Sequence, residues 1–392
     1  MLKLAVIFES SPFDRKGLFN AVHNRVKGLL SSGKCKVDVY CIHSRDNAFT
    51  RRVRHTAEAP AVEQVTVDDV RYQLLWYRFS ISDHIALEKL HVRPLLFRRF
   101  ISRNVSILSG YDAVLAHSFT GGLFAYEAFL RYGIPYYVTW HGSDIHTHPW
   151  RVSVIREDTE KIMDSAVCNF FVSKALMEQS SSISSDSVKK VLYNGVSADF
   201  VKFPPEERAS LRRRYGLSEA EKVVAYVGNL SAVKNVKVLP ELFAEVASLY
   251  GCPLKFWIVG DGKLRSAVES GIHDFFPDSS SPVSFLGNLP PEEMPSVMNC
   301  IDVLVLPSLN EGLGMVCAEA IRCGANAVGS DVGGIAEVVG SGNVVPLGEG
   351  FIAGLADRIC EMLSSEVVQV LPAEMDWAKT SAAELAELLG KR

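Results

Sequence analysis

Two glutamates eight residues apart flank a glycine-containing turn and could hold the two ends of one ligand. Residues 307–321 read PSLNEGLGMVCAEAI, in which Glu311 precedes the turn at 312–314 and Glu319 follows inside a predicted helix. Glycines let the backbone approach a ligand closely, and the first turn of a helix presents unpaired N–H groups that attract anions. The pattern predicts an anion site between two carboxylates. The residues alone leave an alternative open, in which Glu311 is a solvated loop acid and Glu319 a surface residue.

A histidine at the end of a predicted strand is a second candidate for chemistry. His141 follows the apolar run 135–140 and precedes Gly142 and a short polar pair. Imidazole can hydrogen-bond or exchange protons near neutral pH, so this position suits contact with a substrate, although a structural histidine is the alternative. His146 and His148 follow at alternating spacing without carboxylate or thiolate partners for a ligand set, and we predict no metal site there.

These residues need parallel strands to position them. Strands are predicted at residues 3–8, 36–42, 111–116, 135–140, 168–173 and 188–192, and again at 223–227, 256–259, 283–286, 303–306, 327–330 and 343–346. Helical patterns lie between them, beginning with 18–30. This alternation predicts an α/β fold with parallel sheets, in which ligands bind at the carboxyl ends of the strands.

Two more strand ends carry candidates for binding an anion. Residues 10–19 follow the first strand, and Gly17 is the residue there without a side chain, with a helix-entry glycine as the alternative. The segment 228–230, Gly-Asn-Leu, follows the first strand of the second series, and Lys234 could reach a phosphate as a point charge. The segment 260–262 is Gly-Asp-Gly and not GxGxxG, so the dinucleotide fingerprint is absent.

Length and composition indicate a soluble protein of two domains. A chain of 392 residues exceeds what one hydrophobic core usually organises, and 48% hydrophobic with 22% charged residues is ordinary for globular proteins. We expect domains at 1–199 and 200–372, with the C-terminal helix 373–392 packed back on the first. The connection 198–221 contains four arginines that are expected to form a solvated face: Arg208, Arg212, Arg213 and Arg214.

The charge is distributed unevenly between the halves. Residues 1–200 carry a net +5 and residues 201–392 a net −9. The first half therefore suits an anionic acceptor or membrane surface, whereas the excess is too small to indicate nucleic acid. The stretch 87–103 (LEKLHVRPLLFRRFISR) predicts a basic amphipathic helix, which fits either peripheral membrane contact or a domain helix with a solvated basic edge.

The cysteines and the absence of long apolar runs indicate a cytoplasmic location. The eight cysteines form no CxxC pair and lie mostly within apolar runs, as reduced, packed cysteines do. No run approaches 18 apolar residues, and the first one is too short for a signal peptide. We expect a cytoplasmic protein, with a peripheral position at the inner face of the membrane as a further expectation.

Several short motifs occur together in an order that resembles a known family. They are the segments 141–144, 194–196 with Asp199-Phe200, 227–230 with Lys234, 258–262, 285–287, Pro307-Ser308, the pair Glu311/Glu319, and Gly333-Gly334-Ile335 with Glu337. Together they resemble the family 4 glycosyltransferases, also called glycosyl transferases group 1. The match is strong over about 220–340, moderate over 135–200 and weak over 1–110. The resemblance implies the GT-B fold, two facing Rossmann-like domains with parallel sheets and an interdomain cleft.

The resemblance also implies roles for individual residues. Glu319 would bind the ribose hydroxyls of a nucleotide-sugar donor, Lys234 its diphosphate, and Glu311 with His141 the transferred sugar as the catalytic pair. Donor contacts are implied at Gly17, Asn229, Lys234, Leu286, Leu289, Gly312, Leu313, Gly314, Met315, Val316 and Glu319. Two positions depart from the family: Asn229 replaces the usual arginine, which removes one phosphate cation, and Gly17 alone remains of the usual Gly-Gly.

The chemistry of sugar transfer agrees with these residue types. A sugar that leaves its diphosphate develops positive charge at the anomeric carbon and negative charge on the phosphate, so cations and amide dipoles must meet the phosphate. No DxD sequence occurs in the chain, and we expect no metal and no cofactor. The expected activity is retaining, metal-independent hexosyl transfer from a UDP- or GDP-linked sugar by front-face displacement.

The expected acceptor is a saccharide or a lipid-linked molecule of surface polysaccharide or glycolipid assembly. Two other functions stay open: a nucleotide-sugar 2-epimerase on the same fold, which needs no acceptor, and a catalytically silent protein that binds nucleotide sugar. The sugar, the base, the linkage and the oligomeric state are not determined by the sequence.

Overall fold

The chain forms two compact units. A computed structural model describes residues 1–13, 17–45, 62–78, 80–278, 281–365 and 368–390. Unit 1 comprises Met1–Gly195 and Asp376–Arg392, and unit 2 comprises Val196–Met375. The chain therefore leaves unit 1 four residues before the expected position of 199 and returns to it through its C-terminal helix.

Fourteen strands are found among the described residues. Unit 1 contains β1 (Leu2–Glu9), β2 (Cys35–Ser44), β3 (Gln64–Val67), β4 (Val70–Tyr77), β5 (Ala113–His117), β6 (Tyr136–Trp140), β7 (Cys168–Phe171) and β8 (Lys189–Val191). Unit 2 contains β9 (Lys222–Val227), β10 (Leu254–Val259), β11 (Val283–Gly287), β12 (Val303–Leu306), β13 (Asn326–Ser330) and β14 (Val344–Val345).

Helices connect the strands in both units. Unit 1 contains α1 (Gly17–Ser31), α2 (Ile81–Glu88), α3 (Leu95–Asn104), α4 (Ser118–Tyr132), α5 (Ser143–His146), α6 (His148–Arg151), α7 (Ser153–Ser165), α8 (Lys174–Ser180) and the C-terminal α16 (Trp377–Gly390). Unit 2 contains α9 (Pro205–Arg214), α10 (Leu239–Tyr250), α11 (Arg265–Phe275), α12 (Met294–Cys300), α13 (Met315–Arg322), α14 (Ile335–Val339) and α15 (Phe351–Ser364).

The sheet of unit 2 is parallel throughout and has the doubly wound strand order. Its strands lie in the order β11-β10-β9-β12-β13-β14, so the chain moves outward from β9 in one direction and then restarts at β12 in the other. Ligands in such sheets bind where the order reverses, outside the carboxyl ends of the two central strands. In unit 2 the reversal lies between β9 and β12.

Unit 1 has the same arrangement with an added hairpin. Its strands lie in the order β3-β4-β2-β1-β5-β6-β7-β8, all parallel except the β3–β4 pair, and the order reverses between β1 and β5. Sequence reasoning missed the hairpin because residues 51–73 look polar; residues 46–61 lie outside the described part. Asp68 and Asp69 form its two-residue turn with positive φ, and alternating apolar residues in 64–77 were the available signal.

Apolar side chains of strands and helices form the core of each unit. In unit 1, Phe8 and Phe19 lie in one buried cluster that reaches Leu385 and Leu388 of α16. In unit 2, Phe243 of α10 stacks on Phe256 of β10 with 4.5 Å between ring centroids. Burial on both faces explains why these strands read as continuous apolar runs. The predicted α/β fold with two Rossmann-like domains is confirmed.

A buried ion pair joins α1 to the C-terminal helix. The Arg25 guanidinium is buried and lies 3.5 Å from the carboxylate of Glu384. It also donates hydrogen bonds to the carbonyl oxygen of Leu192 (3.0 Å) and to the side chains of Thr139 and Asn194. Removing Glu384 would leave the buried Arg25 guanidinium without a counter-charge. The helix α16 therefore stabilises unit 1, to which it belongs.

Two sequence interpretations are wrong in detail. The stretch 87–103 is not one helix, because α2 ends at Glu88 and α3 begins after Pro94, which cannot continue a helix from before it. The four arginines of 198–221 do not all form a solvated face, because Arg212 is buried and both it and Arg208 bind Asp302. Hydropathy does not show which arginines will meet a carboxylate in the fold.

Candidate active site

The predicted donor site lies at the strand-order reversal of unit 2. Lys234 follows β9 and Glu311 follows β12, the two strands between which the order reverses. The loops touch through a hydrogen bond from the Leu309 amide to the Val233 carbonyl (2.8 Å). Two residues that are 77 positions apart in the sequence are thereby brought to one place.

Lys234 and Glu311 form an ion pair. The Lys234 ammonium donates a hydrogen bond to Oε2 of Glu311, and the two side chains are 25% and 17% exposed. Lys234 ends a short 3-10 turn, and Asn235 after it has positive φ (54°), which turns the chain into α10. Glu311 is therefore not the freely solvated loop acid of the alternative interpretation. The pair presents a cation and an anion together at the carboxyl edge of the sheet.

Glycine is required beside Glu311. Gly333 has φ of +52°, and a Cβ at this position would lie 1.8 Å from the carbonyl oxygen of Glu311. Gly314, with φ of +87°, precedes α13 as its N-cap residue. A larger side chain at either position would strain the backbone, and at Gly333 it would also collide with the Glu311 carbonyl oxygen. The loop that carries Glu311 is therefore held between the start of α13 and the turn that precedes α14.

Glycines also pack the loops after β9 and β10 against each other. A Cβ on Gly260 would lie 2.1 Å from the carbonyl oxygen of Gly228, and a Cβ on Gly262 would lie 2.4 Å from that of Leu230. The Leu230 amide donates to the Asp261 carbonyl at 3.0 Å. The glycines of the segments 228–230 and 260–262 therefore allow close backbone packing, which fixes the position of the loop leading to Lys234.

Glu319 is a half-buried carboxylate without a hydrogen-bond or ion-pair partner among the described residues. It lies in α13, and burial raises its pKa to about 7. Burial disfavours the charged form of a carboxyl group, and such perturbed groups are common at functional sites. The carboxylate could accept hydrogen bonds from a ligand's hydroxyl groups. The same effect, with a contribution from nearby Glu311, raises the pKa of the buried Cys317 thiol.

The remaining predicted donor contacts lie in the same unit with one exception. Leu286 is in β11 and Leu289 in the loop after it, Asn229 is exposed after β9, and the others lie on the approach to α13 or in its first turn: Gly312, Leu313, Gly314, Met315 and Val316. Gly17 is in unit 1, where it begins α1 and a Cβ would meet nothing within 4 Å. No close backbone approach requires glycine there, and its donor role stays a prediction.

His141 lies at the carboxyl end of β6 in unit 1 and contacts a second histidine. Its Nε2 is 3.1 Å from Nδ1 of His117, at the end of β5. Burial and the nearby Arg25 charge lower the pKa of His141 to about 3, and burial lowers the pKa of His117 well below its ordinary value. Both imidazoles are therefore neutral at physiological pH. A neutral His141 can form a hydrogen bond with a substrate, but it has no imidazolium proton to donate as a general acid.

The turn after His141 is fixed by a buried aspartate. Asp144 accepts hydrogen bonds from the amides of Gly142 (2.8 Å) and His141 (3.2 Å), and its burial raises its pKa. Sequence reasoning singled out His141 and missed His117 as its partner. The available signal was that both histidines end neighbouring strands.

Three further observations concern metal binding, the cysteines and membrane-spanning helices. Among the described residues no group of three or more His, Cys, Asp or Glu side chains is arranged to hold a metal ion. All eight cysteines are free, and six of them are buried. In the described part of the chain, no helix is both long and apolar enough to cross a membrane.

Comparison with known proteins identifies the class. Residues 17–195 match the glycosyl transferase 4-like domain, and residues 207–381 match the glycosyl transferases group 1 domain. The chain is similar over its full length to sucrose-phosphate synthase from Thermosynechococcus elongatus (16% identity, TM-score 0.71, 98% of that chain). It is also similar to HepE of Anabaena, solved with UDP and glucose (17% identity, TM-score 0.68, 100% of both chains). At these identities the likeness shows the fold, which is that of the GT-B glycosyltransferases.

The particular family follows from the two matched domains. Together they extend over most of the chain, which belongs to the group 1, family 4-type glycosyltransferases. Among relatives, a 2-deoxystreptamine glucosyltransferase of Streptomyces kanamyceticus is 29% identical over 62% of this chain. The matched segments span only 33% to 66% of the lengths of eight curated relatives. The predicted family is thus confirmed, and the cleft between its domains stays a prediction.

Proposed function

We propose that this protein is a glycosyltransferase that moves a sugar from a nucleotide-diphosphate donor to an acceptor hydroxyl. The observation that carries this proposal is the grouping of the Lys234–Glu311 ion pair with the carboxylate of Glu319, which has no partner in the described part of the chain, at the strand-order reversal of unit 2. A cation, a helix start and two acids at one sheet edge suit a ligand with phosphates at its centre and hydroxyls at both ends. Family membership and UDP bound to the similar Anabaena protein support the same ligand class.

Each residue has a distinct part in the proposed reaction. Lys234 neutralises the diphosphate as negative charge accumulates on it, assisted by the amides before and within the first turn of α13. Glu311 holds sugar hydroxyls and positions Lys234 before the donor arrives. Glu319 accepts hydrogen bonds from the ribose. His141, which is neutral, hydrogen-bonds the sugar without adding a positive charge near the anomeric carbon.

The proposal includes retention and independence of metal. The leaving phosphate accepts the proton of the acceptor hydroxyl while the new bond forms on the same face, so no side chain becomes covalently attached. Lys234 then supplies the charge that a divalent ion supplies elsewhere. Transfer that continues in EDTA, with an α-linked product from an α-linked donor, is the expected result. Inversion or complete loss of transfer in EDTA would contradict this part.

Donor binding is the direct test of the proposed site. Thermal-shift measurements with UDP-glucose, UDP-galactose, UDP-N-acetylglucosamine and GDP-mannose should identify a ligand that raises the Tm of the protein. Lys234→Ala should weaken the binding of that ligand about 10–100-fold, because a hydrogen bond to a charged group contributes about 1.5–3 kcal/mol. Lys237→Ala, an exposed lysine three residues away, is the matched control and should bind normally. The site assignment is wrong if both variants bind alike.

Turnover separates the transferase from the two rival functions. Glu311→Gln keeps the size of the side chain and should reduce transfer about 100-fold or more, while exposed Glu292→Gln should not. Free epimer formed from the donor alone would select the nucleotide-sugar 2-epimerase. Donor binding with neither transfer nor epimerisation, in the presence of cell-envelope acceptors, would select the silent binding protein.

A further inference from the structure

Unit 1 contains a cavity of about 330 Å³ that is not part of the donor site. Its walls are α2, α3, α4 and α7, together with the ends of β1 and β4. We call it the helical cavity. It adjoins the reversal of strand order between β1 and β5, the position where doubly wound sheets bind ligands.

One end of the helical cavity is polar. Glu9, the last residue of β1, accepts hydrogen bonds from the Tyr77 hydroxyl (2.9 Å to Oε1) and from the Thr120 hydroxyl (2.7 Å to Oε2). These bonds fix the carboxylate and leave lone pairs on both oxygens. A hydroxyl group that enters the cavity would find a positioned acceptor here.

The lining of the cavity exposes more apolar than polar surface. Its walls include Leu87, Phe97, Phe119, Leu123, Val154 and Ile155, together with charged side chains such as Asp83, Arg93 and Asp158. Leu87 and Phe119 also pack against a small buried cluster that contains Val154 and Ile155. A cavity with a predominantly apolar surface and a positioned hydrogen-bond acceptor at Glu9 fits a hydrocarbon chain or ring attached to a hydroxyl-bearing group.

The outer surface of the same helices is also apolar. The helix α2 has no buried residue, although Ile81 and Ile85 are in it. Six large apolar side chains between residues 81 and 96 are 43–66% exposed: Ile81, Ile85, Leu90, Val92, Leu95 and Leu96. An exposed apolar patch of this kind commonly marks an interaction surface.

Basic residues lie among these apolar side chains. Lys89, Arg98, Arg99 and Arg103 are exposed, and none forms an ion pair with any described residue. Arg93, in contrast, is neutralised by Glu157 and Asp158. Exposed apolar groups next to cations that have no described ion-pair partner match an anionic lipid surface, where the apolar groups enter the headgroup boundary and the cations meet phosphates.

We propose that α2 and α3 lie on an anionic membrane and that the helical cavity binds the hydrocarbon part of a lipid-linked acceptor, with a hydroxyl group at Glu9. The proposal rests on the proposed function and adds the acceptor class. A membrane-bound acceptor explains why the cavity surface is predominantly apolar and why its outer wall is apolar and cationic. A soluble saccharide would require neither feature.

Vesicle binding tests the surface. The full chain should sediment with vesicles of equal phosphatidylcholine and phosphatidylglycerol, and much less with phosphatidylcholine alone. Each basic residue contributes about fivefold to binding at such a surface, so the double variant Arg99→Gln, Arg103→Gln should lose about 25-fold in affinity. The matched control, Arg213→Gln with Arg214→Gln, removes two exposed arginines from α9 and should bind like wild type. Equal losses in both variants would overturn the surface assignment.

Apolar substitution gives an independent result. Leu95→Gln with Leu96→Gln should weaken vesicle binding at high salt, whereas Leu249→Gln, an exposed leucine of α10, should not. Binding that depends on charge but not on these leucines would overturn insertion of the apolar face. A protein that binds neither vesicle type would overturn the membrane as the partner and favour a protein partner instead.

A fluorescent fatty acid tests the cavity. Saturable binding of cis-parinaric acid should raise its fluorescence. Leu87→Trp, which fills the cavity from a half-buried position of α2, should abolish this increase. Leu123→Trp fills it from α4 and provides a second variant if the first does not fold. Absence of binding, or unchanged binding in both folded variants, would overturn the cavity assignment. Neither measurement uses the donor site, so normal donor shifts beside these failures would leave the proposed function intact.

Discussion

Replacing Glu319 by glutamine should stabilise the protein at alkaline pH. Burial raises the pKa of this carboxyl from 4.5 to about 7, and no described residue compensates its charge. Glutamine has nearly the same shape and no charge. The variant therefore removes the desolvation free energy that destabilises the folded wild-type protein when Glu319 is ionised.

The sign follows from which state binds more protons. Between about pH 4.5 and pH 7 the unfolded chain has lost the Glu319 proton while the folded protein keeps it, so folded wild type loses stability as the pH rises through this window. The difference of about 2.5 in pKa corresponds to about 3 kcal/mol, an upper limit because solvent screens a half-buried group. For a domain of this size the limit corresponds to about 6–12 °C in Tm.

The assay is a comparison of melting curves at several pH values. Wild type and Glu319→Gln should melt alike at pH 4.5, and the variant should melt progressively higher up to pH 7 and remain higher at pH 8. Other buried acids, such as Glu384 and Asp144, are present in both proteins and cancel in the difference. Glu292→Gln serves as the control at an exposed site. A variant with the same pH dependence as wild type would refute the argument.

The same substitution should act in the opposite direction on donor binding. Ribose hydroxyls donate to an ionised carboxylate more strongly than to a neutral one, so wild-type affinity for the donor should fall as the pH is lowered from 8 to 6. Glu319→Gln should bind the donor more weakly at pH 8 and lose most of this pH dependence. A stabilised variant that binds the donor normally would separate the burial of Glu319 from any role in binding.

Two further substitutions test the packing that supports the site. Gly333→Ala places a Cβ against the carbonyl oxygen of Glu311 at positive φ. We therefore expect the free energy of unfolding, measured in urea, to fall by about 2 kcal/mol or more, together with reduced transfer. The control Gly342→Ala, where a Cβ meets nothing within 4 Å, should be nearly neutral. Arg212→Ala removes the hydrogen bonds to the carbonyl oxygens of Cys300 and Glu221 and leaves Asp302 with Arg208 as its remaining cation, so we expect a loss of about 1–3 kcal/mol by the same measurement. An unchanged unfolding free energy would contradict the assigned burial of Arg212.

The doubly wound framework was predictable because its signal is local. Strands buried on both faces read as apolar runs, such as 223–227 and 303–306, and the turns after them contain glycine and short polar residues. The short motifs needed only their order along the chain to indicate the family. The hairpin 64–77 was missed because its segment reads as polar and its turn contains Asp-Asp instead of Asn-Gly, although the alternation of its apolar residues is a strand signal.

The sequence by itself determined the fold class, the family and the identity of Lys234, Glu311, Glu319 and His141 as candidates, because residue type and position at strand ends are properties of the chain alone. Only the tertiary structure decided which of these side chains contact each other. It showed that Lys234 binds Glu311 across 77 residues and that His141 meets His117 from a neighbouring strand.

Long-range pairing and burial also decided which charges are solvated. Arg212 and Arg213 are adjacent in sequence, yet one is buried against Asp302 and the other is exposed. The helical cavity likewise arises from four helices and two strand ends that the sequence does not place side by side. The physical reason is that hydropathy and spacing specify a residue's own element, whereas its electrostatic environment depends on elements that folding brings to it.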